Sequence, residues 1–156
     1  MTQFIGEYEC RLDAKGRVSL PASLKRQLPP EAESKFVINR GFEKCLVMYP
    51  KNEWGKITNR ISKLNQFRKE VREFIRVFFR GATEMELDSN SRLNLPNRLL
   101  SYAGIDKDVV LFAHTNKIEL WSKERYDQMM DGHLDGFADL AESVMGEIND
   151  DANIDI

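Results

Sequence analysis

Two five-residue segments, Asp13–Arg17 (DAKGR) and Asp88–Arg92 (DSNSR), hold a carboxylate and a guanidinium four positions apart, and each is followed by a short run ending in Leu-Pro. An Asp that opens a tight turn can accept hydrogen bonds from backbone N–H groups two residues on. An Arg at the start of the return strand can reach back to that Asp across the turn. Asp13 and Asp88 are therefore read as turn-structuring residues. The arginines have a second capacity, because a guanidinium can bind phosphate and also read guanine edges. Arg11, Lys15, Lys25 and Arg26 add to Arg17 near the first turn in sequence, whereas the matching positions of the second copy are Glu86, Asn90, Leu100 and Ser101. The first hairpin is thus the stronger candidate for a DNA contact, and Arg92 is the second copy's counterpart of Arg17. Gly16 permits a positive φ in the first turn; Ser91 stands there in the second, and Asn90 is expected to take the left-handed position instead.

Catalytic chemistry has little to work with. His114 and His133 lie far apart, without a nucleophile or metal-ligand spacing, and His114 falls where a surface hairpin turn is expected. No Gly-rich phosphate loop, HExxH or GxSxG occurs. Glu7/Glu9 and Glu84/Glu86 alternate along strands, the pattern of a solvated face. A hydrolase built on those carboxylates is the weaker alternative; no enzyme activity, cofactor, metal or small-molecule substrate is expected. Cys10 and Cys45 have no CxxC neighbour and are expected as buried free thiols in strands, in a reducing compartment.

The elements that must position the turns repeat as well. At an offset of 75, Leu12, Asp13, Arg17, Leu20, Pro21 and Leu24 match Leu87, Asp88, Arg92, Leu95, Pro96 and Leu99; further on, at an offset of 72, Tyr49 and Trp54 match Trp121 and Tyr126. Each copy reads as strand, strand, short helix, strand, strand, helix. The strands are expected at 7–12, 36–40 and 45–49 in the first copy and at 82–87, 108–113 and 117–121 in the second, with RVSL and RLNL as the return strands. Pro21 and Pro96 suit the first helical turn, Pro29–Pro30 and Gly104 stop the short helices, and Asn52 and Ser122 open the later ones. Copies of about 45 residues cannot bury a core alone, so the two are expected to interleave around a pseudo-twofold axis. The organisation is read as repeat 1 over 5–52, a basic helical linker over 53–80, repeat 2 over 81–126 and an acidic C-terminal helix and tail over 127–156.

Within the linker, Trp54, Ile57, Ile61, Leu64, Phe67, Val71, Phe74, Ile75 and Phe78 recur at helical spacing, with Asn65–Gln66 as a break between two helices. The opposite face of 56–80 carries eight Lys or Arg against two Glu, a net of +6. Residues 127–156 hold nine acidic residues and no Lys or Arg, so residues 1–126 carry 23 basic against 16 acidic, a net of +7 concealed by the overall −2. A basic body favours an anionic partner, and the linker face is either solvated or paired with a neighbour's acidic tail. In the tail, Leu134, Phe137, Leu140, Ala141, Val144, Met145 and Ile148 form another stripe, and the closing NDDANIDI lacks any apolar period and is expected to be mobile. No signal peptide or membrane span is read, which points to the cytosol.

With both DxxxR hairpins, their Leu-Pro helix starts, the helical segment between them, LVMYP and EW in the first copy and NKIELW in the second, the chain resembles the MraZ family of bacterial transcriptional regulators, built from two SpoVT-AbrB-type domains. The resemblance covers about residues 4–130. It implies an α+β, swapped-hairpin (AbrB-like) double-repeat fold. It also implies a homo-oligomeric closed ring that binds promoter direct repeats in double-stranded DNA, represses the cell-division and cell-wall gene cluster containing its own gene, and sits on the nucleoid. The family's DNA-contacting arginine maps onto Arg17, with Lys15 beside it and Arg92 in the second copy. A single-domain antitoxin, with the tail as its partner-binding segment, shares the architecture and is the alternative interaction protein.

Overall fold

The computed structural model describes the backbone of residues 2–150 and side chains as far as residue 146. The expectations for Ile148 and for the end of NDDANIDI fall outside the described side chains and residues. Two compact units are present, residues 1–123 and 124–156.

The first unit contains the eight strands found among the described residues: β1 (Phe4–Arg11), β2 (Arg17–Ser19), β3 (Lys35–Arg40), β4 (Leu46–Pro50), β5 (Thr83–Glu86), β6 (Arg92–Asn94), β7 (Asp108–Thr115) and β8 (Lys117–Ser122). Its helices are α1 (Ala22–Lys25), α2 (Lys51–Ser62), α3 (Lys69–Phe79) and α4 (Asn97–Ala103). The class is α+β, with every strand pair antiparallel.

Six strands form one sheet in the order β1-β7-β8-β4-β3-β5, and β2 pairs with β6 in a separate ribbon. The first strand of each copy therefore pairs with the other copy: β1 with β7, and β5 with β3. The register is matched across the pseudo-twofold. Arg11 stands opposite Asp108 and Glu86 opposite Lys35. The Leu12 N–H donates to the Lys107 carbonyl (2.8 Å), as Leu87 N–H does to Ser34 (3.0 Å).

The core explains why neither copy stands alone. Val18 of β2 and Leu93 of β6, direct partners at the ribbon centre, are 1% and 0% exposed and pack with Leu24, Leu99, Phe36 and Leu111 in a single cluster. Each such side chain contributes about 1.5–3 kcal/mol on burial, and each needs the other copy to be covered. Strand β3 is buried at four consecutive positions, Phe36–Asn39, so both of its faces are covered. Asn39 satisfies its amide there by donating to the Phe78 carbonyl (2.6 Å), while its Oδ1 accepts from Arg40 N–H (2.9 Å). That pair fastens the end of α3 to the sheet.

Several local expectations shift by a residue or a role. Pro21 and Pro96 sit at the N-cap rather than the first helical position; their carbonyls accept from Leu24 and Lys25, and from Leu99 and Leu100. Pro50 likewise caps α2, so Asn52 lies inside that helix. Gly104 closes α4 in the left-handed region (φ 66°), as its position suggests. Cys45 is buried but precedes β4, and Cys10 is only half-buried on β1; both are free thiols. His114 belongs to β7 rather than a turn, its ring tilted against Phe112 (4.8 Å between centroids) with Nε2 2.5 Å from Glu119 Oε2.

The linker does break into two helices, α2 and α3. Its stripe is less covered than the spacing predicts: Phe67 is 95% exposed and α3 has no fully buried residue. Helix α5 (Lys123–His133) is followed by α6 (Phe137–Asp150) in the second unit; Leu134 between them and Phe137, Leu140, Val144 and Met145 on α6 are at half exposure or more. No described helix is long and apolar enough to cross a membrane.

Candidate nucleic-acid interface

The two turns are near copies at the level of single hydrogen bonds. In the first, Asp13 Oδ1 accepts from the backbone N–H of Lys15 (2.9 Å) and Arg17 (3.0 Å), while Arg17 Nε donates to Asp13 Oδ2 (2.7 Å). In the second, Asp88 Oδ1 accepts from Asn90 (2.8 Å) and Arg92 (2.9 Å), and Arg92 Nε donates to Asp88 Oδ2 (2.9 Å). The backbone closes each turn alike, with Gly16 N–H on Asp13 O and Ser91 N–H on Asp88 O, both 3.0 Å.

These bonds favour the ionised carboxylate. The Arg17 N–H is the leading cause that brings Asp13 from its ordinary 3.8 to about 2, and the Arg92 N–H lowers Asp88 in the same way. A carboxylate held by backbone donors stays charged, and it fixes each guanidinium through Nε. The terminal amino groups of both arginines have no partner among the described residues and keep their donors for a ligand.

At the left-handed position the second turn departs from expectation. Ser91 itself adopts φ 58°, matching Gly16 at 77°. Asn90 instead gives its N–H to Asp88. A left-handed fourth residue turns the following Arg back, so that its N–H reaches the Asp Oδ1 and its carbonyl accepts from the Asp N–H, and this geometry overrides the preference of Asn.

Placement of the cations is also corrected. Lys25, grouped by sequence with the first hairpin, donates from Nζ to Ser91 Oγ (2.5 Å) in the second turn. The cause is the exchange of elements between copies. Leu20 N–H bonds to Ser91 O (2.9 Å) and Leu95 N–H to Gly16 O (3.0 Å), so each copy's Leu-Pro corner and short helix lie against the other copy's turn. Arg26, the exposed C-cap residue of α1, belongs to the same neighbourhood as Lys25 by sequence adjacency. The first turn instead borders Asn97, Ser101 and Lys107 along an open groove. Arg11 remains near the first turn but faces Asp108 in the strand register, as Glu86 faces Lys35 near the second. The charge contrast between Arg11 and Glu86 is thus offset at both ends, and each turn has a lysine close by, Lys15 in the first and Lys25 beside the second.

Between the turns runs the β2–β6 ribbon. Val18 and Leu93 point into the core, so the alternate residues Arg17, Ser19, Arg92 and Asn94 share the outward face. In the register Arg17 pairs with Asn94 and Ser19 with Arg92, which sets the arginines about 7 Å apart along the ribbon, one at each end. An antiparallel ribbon of this width enters a DNA major groove, about 12 Å wide. Ser19 and Asn94 carry polar groups able to meet base edges or phosphates, and spacing alone did not single them out. Their signal was the strand alternation Arg-Val-Ser and Arg-Leu-Asn around one buried centre.

Comparison with known proteins places this geometry. The family model described as "MraZ protein, putative antitoxin-like" matches twice, over residues 3–77 and 78–145. The chain is 46% identical over 152 residues to the Transcriptional regulator MraZ of Christiangramia forsetii, covering 97% of each chain. Identity is 43% over 152 residues to the same-named protein of Flavobacterium psychrophilum, again 97% of each. It is 44% over 142 residues to that of Cytophaga hutchinsonii, covering 91% of this chain and 94% of the relative.

Proposed function

This chain belongs to the MraZ family, and on that premise we propose that it is a DNA-binding transcriptional regulator whose contact surface is the outward face of the β2–β6 ribbon with the two DxxxR turns at its ends. The observation that carries this reading is the duplicated hydrogen-bond frame that presents Arg17 and Arg92 on one face with their terminal donors free. Arg17 and Arg92 read base edges or clamp phosphates; Lys15 in the first turn and Lys25 beside the second neutralise backbone phosphates, with Arg11 and Arg26 as outer contributors. Both copies contribute, in place of the first hairpin alone.

The pairing of β1 with β7 and of β5 with β3 supports the swapped-hairpin arrangement of SpoVT-AbrB-type domains. The protein acts as a homo-oligomeric ring in the cytoplasm, on the nucleoid. It binds direct repeats in the promoter of its own cell-division and cell-wall gene cluster and represses it. A rotationally symmetric ring suits direct repeats, since successive subunits meet successive repeats in one orientation, and avidity then compensates weak single contacts.

Anisotropy titration of promoter DNA with Arg17→Ala, Arg92→Ala and Lys15→Ala tests the assignment at several salt concentrations. Weaker binding, with a salt slope flatter by about one unit per phosphate contact removed, is expected. Unchanged affinity in both arginine variants would refute the ribbon as the interface.

A further inference from the structure

The two ends of the β2–β6 ribbon share a backbone frame and differ in what they offer a base. The bonds that close the ribbon, Leu20 N–H to Ser91 O and Leu95 N–H to Gly16 O, fall on the pairs 20/91 and 16/95. Alternation along an antiparallel ladder then makes Val18/Leu93 a hydrogen-bonded pair and Arg17/Asn94 and Ser19/Arg92 non-hydrogen-bonded ones. In pairs of that second kind the Cα atoms stand about 4.5 Å apart, and the two side chains rise together from one face. Asn94 and Ser19 are exposed there, and neither side chain has a partner among the described residues.

Each arginine is held in one orientation. Its Nε is taken by the turn aspartate, at 2.7 Å for Arg17 and 2.9 Å for Arg92, which leaves the two terminal nitrogens as an end-on fork. That fork fits guanine, whose O6 and N7 both accept in the major groove. The neighbours of the two forks are unlike. Asn94, beside Arg17, carries an amide that donates to adenine N7 and accepts from adenine N6, the bidentate match that separates adenine from the other bases. Ser19, beside Arg92, carries one short hydroxyl that donates or accepts and so discriminates little. Stacked bases are about 3.4 Å apart along a strand, close to the spacing of Arg17 and Asn94, so these two side chains meet adjoining base pairs.

We propose that Asn94 is a specificity-determining residue of this surface: with Arg17 it reads a guanine and an adenine in the adjoining base pair as one unit, while the Arg92/Ser19 end reads a guanine alone. The inference rests on the ribbon being the DNA-binding face and names what that face recognises. It makes the two ends unequal readers over one hydrogen-bond frame. It also gives the second repeat a part in the first turn's contact, because Asn94 comes from β6 and Arg17 from β2.

Selection of duplexes from a randomised library by the full-length protein at one salt concentration, followed by sequencing, tests this. The unaltered chain should enrich G·C pairs with an A·T pair adjoining one of them. Asn94→Ala should lose about 5- to 150-fold discrimination at that A·T position and keep the guanine positions. Ser19→Ala should keep both. Titrated with the enriched duplex at several salt concentrations, Asn94→Ala should show the salt slope of the unaltered chain, since no phosphate contact is removed. An A·T preference that survives in Asn94→Ala, a loss spread evenly over all positions, or a slope flatter by about one unit would overturn the assignment. The double variant Arg17→Ala/Arg92→Ala separates that failure from failure of the ribbon itself. Loss of the guanine preference there upholds the ribbon whatever Asn94→Ala does, and an unchanged motif there would refute the ribbon and this inference with it.

Discussion

The turn at Asp13–Arg17 and the turn at Asp88–Arg92 share every backbone bond that defines them, yet they differ in nearly every side chain those bonds do not use. Asp, Arg and the left-handed fourth position recur because the frame requires them. Ala14, Lys15 and Gly16 become Ser89, Asn90 and Ser91. Compared as isolated hairpins, the first looks cationic and the second does not. Compared in the folded chain, the difference shrinks, because Lys25 crosses to the second turn and the opposed pairs Arg11/Asp108 and Glu86/Lys35 offset each other. In an exchanged fold, the charge around a loop is set by the partner element and not by the loop's sequence neighbours.

The largest effect should come from the shared centre. Leu93→Ala is expected to cost about 2–5 kcal/mol, and Val18→Ala somewhat less, in denaturant unfolding. Both should weaken one transition common to the whole first unit. A separate transition for each copy would break the comparison at its root.

Next in size is DNA binding. Arg17→Ala and Arg92→Ala should each lose about 1–3 kcal/mol of promoter affinity, with Arg17 the larger because Lys15 sits in its own turn. A loss confined to Arg17 would restore the view that only the first hairpin contacts DNA.

A smaller pair exchanges the fourth turn residue. Gly16→Ser forces a side chain into φ 77° and should cost about 1 kcal/mol in thermal unfolding. Ser91→Gly relieves the same strain but removes the acceptor for Lys25, so its stability should change by less than about 1 kcal/mol. Destabilisation of comparable size in both would mean that the two turns do not share one backbone requirement.

The smallest effect is in acid. The Asp13 carboxyl is depressed from 3.8 to about 2 in the folded chain, so its contribution is complete above pH 4 and is lost as pH falls through about 2. Asp88 is lowered for the same reason and follows the same sign. Carboxyl titration by NMR should place both below ordinary aspartates, and Asp13→Asn should remove one acid-labile increment. An ordinary midpoint for Asp13 would mean that its backbone bonds are not maintained in solution.

Much of this was legible in the sequence because it is local. Matching residues 75 apart gave two copies; Asp followed by Arg at a turn gave the hydrogen-bond frame; Gly104, and Asn65–Gln66 between the linker helices, gave helix ends. What periodicity cannot carry is which copy each element packs against. That choice is made by the pairing of β1 with β7 and β2 with β6, contacts separated by dozens of residues, and it relocated Lys25 and revealed Ser19 and Asn94 as ribbon-face residues. The left-handed Ser91 was missed for a related reason: residue preference pointed to Asn90, whereas the return of Arg92 onto Asp88 fixed the position.

The most direct test compares the two basic surfaces by hydrogen–deuterium exchange of the full-length protein, with and without a promoter duplex. Protection on DNA binding is predicted in the peptides spanning 11–20 and 86–96 together, with little change over 56–80. Protection confined to 56–80, with both hairpins unchanged, would contradict the assignment of the ribbon as the DNA-binding face.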